Sequence, residues 1–441
     1  MAQATFHFPR GFLWGTATAA YQVEGNNVYS NWYAWEGQPG RIINGDRAGN
    51  ACDWWNGRWR EDFDRAAAGH QNALRMSVEW SRVQPAPDRW DKDSIDRYVE
   101  MVRGLVERNL TPLVTLHHYS DPQWFVEAGG WQSENAAGLF EKFVRKVVQA
   151  LKDYVSLWCT FNEPSGYATL GFLFGIFPPG EKNLGQTFNA AVNIVRAHAA
   201  AYHAIHQIQP QARVGMANYY RSMKPAKSWS PLDKLATHML LGFNDIFPNA
   251  ATDGGVSFLA WRRRVPQARR TQDFLGIDYY TRDYVSFHLL KPGELFTRRF
   301  YRPEAQRSTT GFLANEPQGM FEALKWGLKY KLPIIITENG FDDSDDRVRP
   351  GFIAEHIHQV WRGVNFNWPV KGYFHWTLVD NFEWERGWTQ RFGLWGLDVT
   401  TQARFKRPSA DLYAEICREN GLSDDMVKRF APALLPILFP D

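Results

Sequence analysis

The sequence predicts an α/β protein built as one barrel of alternating strands and helices, with extended loops over the C-terminal ends of its strands. Two observations point to this fold: eight short apolar or β-branched segments recur along the 441 residues, and longer segments with helical spacing lie between them. In addition, no Gly-x-Gly-x-x-Gly turn follows the first segment, which argues against an open dinucleotide-binding sheet. Because no low-complexity linker interrupts the pattern, we expect residues 1–441 to form a single domain.

The predicted elements alternate from the first strand to the last helix. Each strand is a short apolar or β-branched run, and the eight runs cover residues 12–17, 74–80, 112–117, 157–162, 213–218, 274–279, 334–337 and 372–378. Each helix repeats apolar residues every three or four positions, as in residues 58–68, 94–107, 134–151, 187–207, 319–330, 351–364 and 411–419. This alternation favours closure into a (β/α)8 TIM barrel. We expect the longest irregular stretches, around residues 220–231 and 289–314, to be loops over one mouth of the barrel.

Charge and cysteine content argue against several classes of protein. Fifty basic and 47 acidic residues give a formal net charge of +3, which is too weak to suggest nucleic acid or membrane partners, so a small neutral ligand fits better. Cys52, Cys159 and Cys417 are too few and too scattered for a disulfide framework or a zinc site, which indicates a reducing compartment. No secretory signal and no uninterrupted apolar run of about eighteen residues is visible, so we expect a cytoplasmic protein. The oligomeric state is not indicated.

Two carboxylates lie at the ends of apolar strands, where the loops of such a barrel bring side chains from several strands to one mouth. Glu163 follows the fourth predicted strand and Glu338 follows the seventh, each beside an asparagine. A carboxylate in such a place is either ion-paired or a working acid, because burial disfavours its charge. Two on one rim favour catalysis, since their charges push their pKa values apart and give one acid and one base. Glycoside hydrolysis requires such a pair.

A cluster of aromatic and polar side chains follows the eighth predicted strand. Aromatic residues make up 15% of the chain, including 20 tryptophans, which stack on sugar rings but also fill protein cores. The cluster combines stacking faces with acceptors for hydroxyl groups: Trp376, Asp380, Asn381, Glu383, Trp384, Trp388, Arg391 and Phe392. Gln22 and Glu24, just past the first strand, add polar groups to the same rim. The alternative is an aromatic patch that only holds a loop in place.

These motifs resemble glycoside hydrolase family 1, the β-glucosidase and β-galactosidase family, over nearly the whole chain. The acid/base, nucleophile and sugar-loop motifs of the family are matched in order by Thr160-Phe161-Asn162-Glu163-Pro164, Ile336-Thr337-Glu338-Asn339-Gly340 and Asp380-Asn381-Phe382-Glu383-Trp384. The resemblance implies a retaining β-glycosidase that hydrolyses terminal non-reducing β-D-glucosyl residues, and also β-galactosyl or β-fucosyl residues, by double displacement. It implies a small glycoside or oligosaccharide substrate, and no metal or organic cofactor.

The resemblance also assigns roles to individual side chains. It implies Glu163 as the acid/base and Glu338 as the nucleophile, with Arg75 and Tyr280 contacting the nucleophile. A cation at Arg75 would favour the ionised form that a nucleophile requires. The residues that it implies for binding the sugar are Gln22, His118, Tyr119, Asn162, Tyr280, Trp376, Glu383, Trp384 and Phe392. Among them, Asn162 would bond the 2-hydroxyl group, and Gln22 with Glu383 would hold hydroxyl groups at the far side of the ring.

Three positions of this chain are compared with the family pattern, because they bear on the sugar wall, on the charge near Glu163 and on the kind of sugar bound. The family usually has His-Trp-Asp after the third strand, where this chain has His118-Tyr119-Ser120, so the sugar wall is expected to differ. It often has Asn-Tyr-Tyr after the sixth strand, where this chain has Asp278-Tyr279-Tyr280. Asp278 either adds a third negative charge near Glu163 or is paired elsewhere, and we assign it no catalytic role. Family members that cleave phosphorylated sugars carry serine at the position of Glu383, so an unphosphorylated sugar is favoured here.

Two alternatives remain open at this point. A transglycosylase would use the same chemistry but pass the sugar to an acceptor sugar instead of water. A non-catalytic sugar-binding barrel is a less favoured alternative, because relatives of that kind lack one or both glutamates and both are present here. The choice between glucose, galactose, fucose and mannose, and the identity of the aglycone, cannot be read from the motifs.

Overall fold

A closed barrel of eight parallel strands lies at the centre of the computed structural model, which describes residues 4–440. The barrel strands are β1 (Leu13–Ala17), β2 (Ala73–Ser77), β3 (Thr111–Thr115), β4 (Leu157–Asn162), β5 (Arg213–Tyr219), β6 (Phe274–Asp278), β7 (Ile334–Asn339) and β8 (Val370–Trp376). Strands that are consecutive in this series are neighbours in the barrel, and β8 pairs with β1 to close it. The predicted (β/α)8 barrel is confirmed.

Helices surround the barrel and fill the connections between its strands. The α-helices are Ala20–Glu24, Asn31–Glu36, Trp59–Ala68, Trp80–Val83, Lys92–Val106, Gln123–Glu127, Ala136–Leu151, Pro164–Phe172, Leu184–Ile208, Pro231–Leu241, Ile246–Asp253, Pro317–Gly327, Arg349–Asn365, Pro408–Glu419, Asp424–Phe430 and Leu435–Leu438. Short 3-10 helices cover Ile43–Gly45, Trp54–Asn56, Gly130–Gln132, Gly242–Asp245, Pro266–Ala268, Pro292–Glu294, Leu328–Tyr330, Trp384–Arg386 and Pro432–Leu434. Within residues 4–440, no helix combines the length and the apolar character needed to span a membrane.

The barrel strands are buried on both faces, which explains their continuous apolar runs. Every residue of β4 and of β7 is buried, because side chains fill the barrel interior while helices cover its outside. Seven of the eight predicted strands differ from the observed strands by one to three residues at one or both ends. The second strand ends at Ser77, and a new helix begins at Trp80 where the strand had been expected to continue. The seventh strand runs on to Asn339, so Glu338 belongs to the strand itself.

Short strands outside the barrel replace part of the expected loops. Ser222–Pro225, Arg282–Phe287 and Thr297–Phe300 form a three-stranded sheet, with Arg282–Phe287 in the middle. Together with the helix Pro231–Leu241 this sheet forms what we call the outer lobe. The prediction of purely irregular loops around residues 220–231 and 289–314 was therefore wrong in part, because strands of four residues carry too little periodicity to detect.

Three further pairs of short strands lie at the periphery. Thr5–His7 pairs with Gly421–Ser423, Gly255–Phe258 with Trp261–Arg264, and Trp395–Leu397 with Arg404–Lys406, all antiparallel. The first of these pairs ties the N-terminal part of the chain to the segment that follows the last barrel helix. The segment before the first barrel strand and the segment after the last barrel helix therefore lie together on one side of the molecule.

Candidate active site

Glu163 lies directly after β4, where the chain turns into the helix Pro164–Phe172. Its backbone is left-handed with a φ of 40°, a conformation that residues other than glycine rarely adopt and that is often found at functional sites. The N–H of Glu163 donates to the carbonyl of Ala217 at 2.8 Å, and Pro164 begins the helix without needing a hydrogen-bond acceptor. The carboxyl group lines a cavity at the mouth of the barrel.

Glu338, in β7, holds both of its carboxyl oxygens in fixed hydrogen bonds. Arg75 Nη1 donates to Oε1 at 2.7 Å, and the Tyr280 hydroxyl donates to Oε2 at 2.6 Å. His118 Nε2 lies 3.9 Å from Oε1. Because two donors face this carboxylate, its position and its negative charge are both stabilised.

Arg75, on β2, forms hydrogen bonds with residues of three other barrel strands beneath the cavity. The side chain rises from β2 and is completely buried. Besides Glu338 it donates from Nε to Thr115 Oγ1 at 3.1 Å, from Nη1 to the Thr337 carbonyl at 3.2 Å, and from Nη2 to Asn162 Oδ1. A planar guanidinium held in this way fixes the relative position of the groups around it.

The two glutamates differ in how strongly they hold a proton. Burial raises the pKa of both carboxyl groups above the usual value. For Glu163, the negative charges of Asp278 and Glu338 raise the pKa further, while a hydrogen bond from Tyr119 opposes them. For Glu338, Arg75 and the hydroxyl of Tyr280 lower the pKa and offset part of the burial effect. Glu163 is therefore the group suited to carry a proton, and Glu338 the group suited to remain ionised.

Asp278 joins these two glutamates as a third buried carboxyl group. Each of the three side chains offers a carboxyl oxygen within 4.8 Å of the other two. Both interpretations considered for Asp278 apply in part, because its carboxyl group lies close to Glu163 and also forms a longer ion pair, of 3.8 Å, with Arg75. Three carboxylates can attract a metal ion, but the guanidinium of Arg75 already lies among them, so the cluster contains its own cation.

Tyr119 shows how the sugar wall differs from the family pattern. Its backbone is left-handed, with a φ of 65°, and its hydroxyl donates to Glu163 Oε2. Burial raises the pKa of Tyr119 well above its usual value, so the phenol keeps its proton and acts as a donor. A donor at this oxygen steadies the carboxyl group of Glu163 and favours its ionised form, in opposition to the neighbouring carboxylates.

Polar groups around the deepest part of the cavity are arranged in two sets. In the first set, Asn162 Nδ2 lies 3.0 Å from His118 Nε2, and burial lowers the pKa of His118 well below its usual value, which keeps the ring neutral. In the second set, Trp376 Nε1 donates to Glu383 Oε1 at 3.1 Å, and burial raises the pKa of Glu383 to about 8. Gln22 lies behind Glu383, where its amide nitrogen donates to the carbonyl of Phe382 at 2.7 Å.

Of the twelve side chains to which the resemblance assigns a role, ten come together around one cavity of about 870 Å³. These residues are His118, Tyr119, Asn162, Glu163, Tyr280, Glu338, Trp376, Glu383, Trp384 and Phe392. The two others, Gln22 and Arg75, are completely buried directly behind the wall. We call the part of the cavity lined by His118, Tyr119, Asn162, Glu163, Glu338, Trp376, Glu383 and Trp384 the inner part. These side chains are all buried, and Glu163 is the most exposed of them at 9%.

The outer part of the cavity was not predicted from the sequence. Its apolar side chains come from the outer lobe, from the helix after Glu163 and from segments next to them: Leu170, Phe174, Ile176, Met223, Leu240, Phe243, Leu295, Phe300, Phe312 and Leu313. Charged side chains also line this part, among them Glu294, Arg299, Arg307 and Arg386. At its edge the guanidinium of Arg221 forms paired hydrogen bonds of 2.8 and 2.7 Å with Asp283. Arg221 follows β5, so the rule that located the two glutamates at strand ends could also have found it.

Comparison with known proteins gives a consistent set of matches. The family model for glycosyl hydrolase family 1 matches residues 4–422. Beta-glucosidase A of Thermotoga maritima is 32% identical over 447 residues, which cover 95% of this chain and 99% of that protein. The 1,4-beta-D-glucan glucohydrolase of Thermotoga neapolitana is 31% identical over 448 residues, with the same coverage. The human cytosolic beta-glucosidase is 29% identical over 465 residues, covering 94% of this chain and 99% of that protein.

Solved structures match the whole barrel. The beta-glycosidase from Pyrococcus horikoshii superimposes with a TM-score of 0.90 at 34% identity, covering 97% of this chain and 98% of that chain. The beta-glucosidase from Thermotoga maritima in complex with glucoimidazole gives a TM-score of 0.89 at 31% identity, covering 95% and 100%. The similarity therefore extends over the barrel and the loops that carry the cavity.

Proposed function

Since the chain belongs to glycosyl hydrolase family 1 and is a glycoside hydrolase of the β-glucosidase and β-galactosidase type, we propose that Glu338 is its nucleophile and Glu163 its acid/base. The observation that carries this assignment is the unequal environment of two neighbouring carboxyl groups. Glu338 receives donors from Arg75 and Tyr280, which favours an ionised nucleophile. Glu163 faces two other carboxyl groups, which favours a protonated acid.

In the first step of the proposed mechanism, a carboxylate oxygen of Glu338 attacks the anomeric carbon of the bound sugar. The bond to the aglycone oxygen breaks as Glu163 transfers its proton to that oxygen, and the aglycone leaves as an alcohol. In the second step, Glu163, now ionised, accepts a proton from water. The water oxygen attacks the anomeric carbon and displaces Glu338, which returns the enzyme to its starting state with the configuration of the sugar retained.

The spacing of the two carboxyl groups supports retention. Retaining enzymes have carboxyl groups about 5 to 5.5 Å apart, whereas inverting enzymes separate them by about 6.5 to 9.5 Å to admit a water molecule. Here an oxygen of Glu163 and an oxygen of Glu338 lie within 4.8 Å of each other. This spacing is closer to that of a retaining pair than to that of an inverting pair.

We propose a terminal β-D-glucosyl residue as the preferred sugar, with β-galactosyl and β-fucosyl residues as further substrates. In this proposal Asn162 bonds the 2-hydroxyl group, which is supported by its position beside Glu163 and by its contacts with Arg75 and His118. Glu383 and Gln22 bond hydroxyl groups on the far side of the ring, which is supported by their position next to each other at the buried end of the cavity. Its relatives include proteins named beta-glucosidase and beta-galactosidase.

The outer part of the cavity is where the aglycone would lie, because Glu163 faces it. Ten apolar side chains line it, so we propose an aglycone with an apolar body, such as an aryl or alkyl group. Transfer of the sugar to an acceptor alcohol in this same space is the second activity to consider. Analysis of the products at high glycoside concentration distinguishes it from hydrolysis, because transfer yields larger glycosides and hydrolysis yields free sugar.

We also propose that the chain acts as one catalytic unit in a reducing compartment such as the cytoplasm. The proposal for its location is supported by Cys52, Cys159 and Cys417, which are buried free thiols, and by a relative named as cytosolic. No nucleic acid partner is proposed.

The two catalytic roles can be tested by chemical rescue. Glu338→Gly should abolish hydrolysis of 2,4-dinitrophenyl β-D-glucoside, and azide should restore turnover by attacking the anomeric carbon from the vacated side, giving the inverted α-glucosyl azide. In Glu163→Ala, the nucleophile still works, so azide should attack the covalent intermediate and give the retained β-glucosyl azide. Nuclear magnetic resonance of the products reads the configuration. The opposite pattern of configurations would exchange the two roles, and an inactive wild-type enzyme on all β-glycosides would reject the function.

A further inference from the structure

Asp278 is a buried carboxyl group that the proposed reaction does not yet use. It stands at the end of β6 and is completely buried. The hydroxyl of Thr337 donates to its Oδ1 at 2.6 Å, while its Oδ2 has no hydrogen-bond partner among the residues that the structure describes. A buried carboxyl oxygen without a partner is unfavourable, so its presence beside the catalytic pair calls for a physical reason.

The charges around Asp278 do not balance when all carboxyl groups are ionised. Glu163, Asp278 and Glu338 approach one another within 4.8 Å, and Arg75 is the cation among them. Arg75 Nη1 lies 2.7 Å from Glu338 and 3.8 Å from Asp278, so one positive charge faces two carboxylates directly. With Glu338 ionised against Arg75, further negative charge in this buried cluster is resisted, and protons are shared between Asp278 and Glu163.

The two carboxyl groups that share protons are not equivalent. Asp278 accepts a hydroxyl hydrogen bond and lies close to Arg75, and both contacts favour its ionised form. Glu163 has the hydroxyl of Tyr119 as its donor and forms no ion pair with Arg75 within residues 4–440. Asp278 is therefore the first of the two to lose its proton as the pH rises.

We propose that Asp278 is a positioning residue for the proton of Glu163: it becomes negative before Glu163 does, shares the charge of Arg75, and so keeps Glu163 protonated to higher pH. The inference rests on the proposed roles of Glu163 and Glu338. The groups that face Asp278 are Arg75 on β2, Cys159 on β4, Glu338 on β7, and Glu163, Tyr119 and Tyr280 at the ends of three strands.

Asp278 also has a part in the covalent intermediate. When Glu338 forms an ester with the sugar, its negative charge disappears, and the buried guanidinium of Arg75 loses its closest counter-ion. Asp278, at 3.8 Å, is then the carboxylate that balances Arg75. Loss of the charge on Glu338 also lowers the proton affinity of Glu163. Glu163 therefore holds its proton before this step and can donate it as an acid, and after the step it can take part as a base.

Asp278→Asn tests the proposal, because asparagine keeps the size and the acceptor for Thr337 but cannot become negative. Removing a neighbouring negative charge lowers the pKa of Glu163, so its proton is lost at lower pH. In the pH profile of kcat/KM for 4-nitrophenyl β-D-glucoside, the alkaline limb should move to lower pH by about one unit. A limb that stays in place or moves to higher pH overturns the proposal.

Two further measurements separate this effect from a structural one. Thr337→Val removes the hydroxyl that donates to Asp278, so the limb should move part of the way in the wild-type background and not at all in the Asp278→Asn background.

With 2,4-dinitrophenyl β-D-glucoside, whose aglycone leaves without a proton, Asp278→Asn should leave the alkaline limb unchanged, and an equal shift with this substrate overturns the proposal. If Asp278→Asn does not fold, Thr337→Val alone decides, since an unmoved limb contradicts the inference. Absence of hydrolysis by the wild-type enzyme would instead refute the proposed function.

Discussion

The inner and outer parts of the cavity differ in burial, polarity and the way in which their side chains are held. Inner side chains such as Glu338 and Glu383 are buried, and their polar atoms are fixed by neighbours on other strands. Outer side chains include Ile176 and Phe312, which are 42% and 41% exposed and present apolar surface to the cavity. The inner part presents polar groups that are fixed by hydrogen bonds, whereas the outer part presents apolar area together with charged side chains.

This difference indicates a division of labour. Hydrogen bonds to a fixed, desolvated polar group discriminate strongly between ligands, because a missing partner leaves that group unpaired. Apolar contact discriminates weakly, since each buried CH₂ group contributes only about 0.8 kcal/mol. We therefore expect substitutions in the inner part to change the reaction or the choice of sugar, and substitutions in the outer part to change only the preference among aglycones.

The largest effect is expected at Arg75, which lies behind the wall of the inner part and donates to Glu338. Arg75→Met should reduce kcat/KM by about 10²- to 10³-fold, because the remaining carboxylates lose their buried counter-ion. Arg75 lowers the pKa of Glu338, so its removal raises that pKa, and the acidic limb of kcat/KM should move to higher pH. A pH profile with 4-nitrophenyl β-D-glucoside measures both changes.

A matched control for this prediction is Arg82→Met. Arg82 is also a buried arginine and donates to Glu24 at 2.7 Å, but within the described part of the chain it forms no ion pair with Glu338 or Asp278, unlike Arg75. It should lower the thermal unfolding temperature without moving the acidic limb. If both variants shift the limb equally, the effect of Arg75 comes from a general change in the fold, and the comparison between the two parts of the cavity fails.

A smaller effect is expected where the inner part meets the far side of the sugar. Glu383→Gln keeps the shape and the acceptor for Trp376, but weakens hydrogen bonds to the sugar, so kcat/KM for a β-D-glucoside should fall by about 10- to 100-fold. A β-D-xyloside, which lacks the hydroxymethyl group, should lose less. Glu385→Gln, at a neighbouring position of the cavity wall, serves as the control and should change both rates little. An equal loss on both sugars would contradict the assignment.

The smallest effect is expected in the outer part. Ile176→Ser removes apolar surface from the wall, so kcat/KM for octyl β-D-glucoside should fall by about three- to tenfold, while that for methyl β-D-glucoside stays the same. Ile43→Ser, at a side chain 39% exposed but outside the cavity lining, should leave the ratio of the two rates unchanged. A drop for methyl β-D-glucoside as large as that for the octyl compound would show that Ile176 acts on the inner part.

The sequence predicted the barrel and the inner part well because both depend on local patterns. Strands β4 and β7 are continuous apolar runs, and the carboxyl groups at their ends follow from the geometry of a parallel barrel. Arg75 and Tyr280 were expected beside Glu338 through resemblance to a known family, and both lie within hydrogen-bond distance of it. Their catalytic roles stay predictions until the variants are measured.

The outer part was not predicted because its side chains come from short elements far apart in the sequence. Leu240 and Phe300 meet only after the helix Pro231–Leu241 has packed on a three-stranded sheet, and strands of three to six residues give weak periodic signals. The partner of Asp278 was left open for a related reason. Which of several buried groups face one another depends on the register of neighbouring strands. The sequence of one strand alone does not determine that register.

The outer lobe has a small apolar cluster of its own, formed by Ala236, Leu240 and Val285 and separate from the main core. Phe243 is a side chain that packs against both clusters. A segment with its own interior can be exchanged for another with little repacking elsewhere, provided that the packing of Phe243 and the ion pairs of Arg282 with Glu316 and Glu322 are kept. Grafting the corresponding segments of relatives onto this scaffold is therefore a practical route to new leaving-group preferences, with the bond-breaking machinery left untouched.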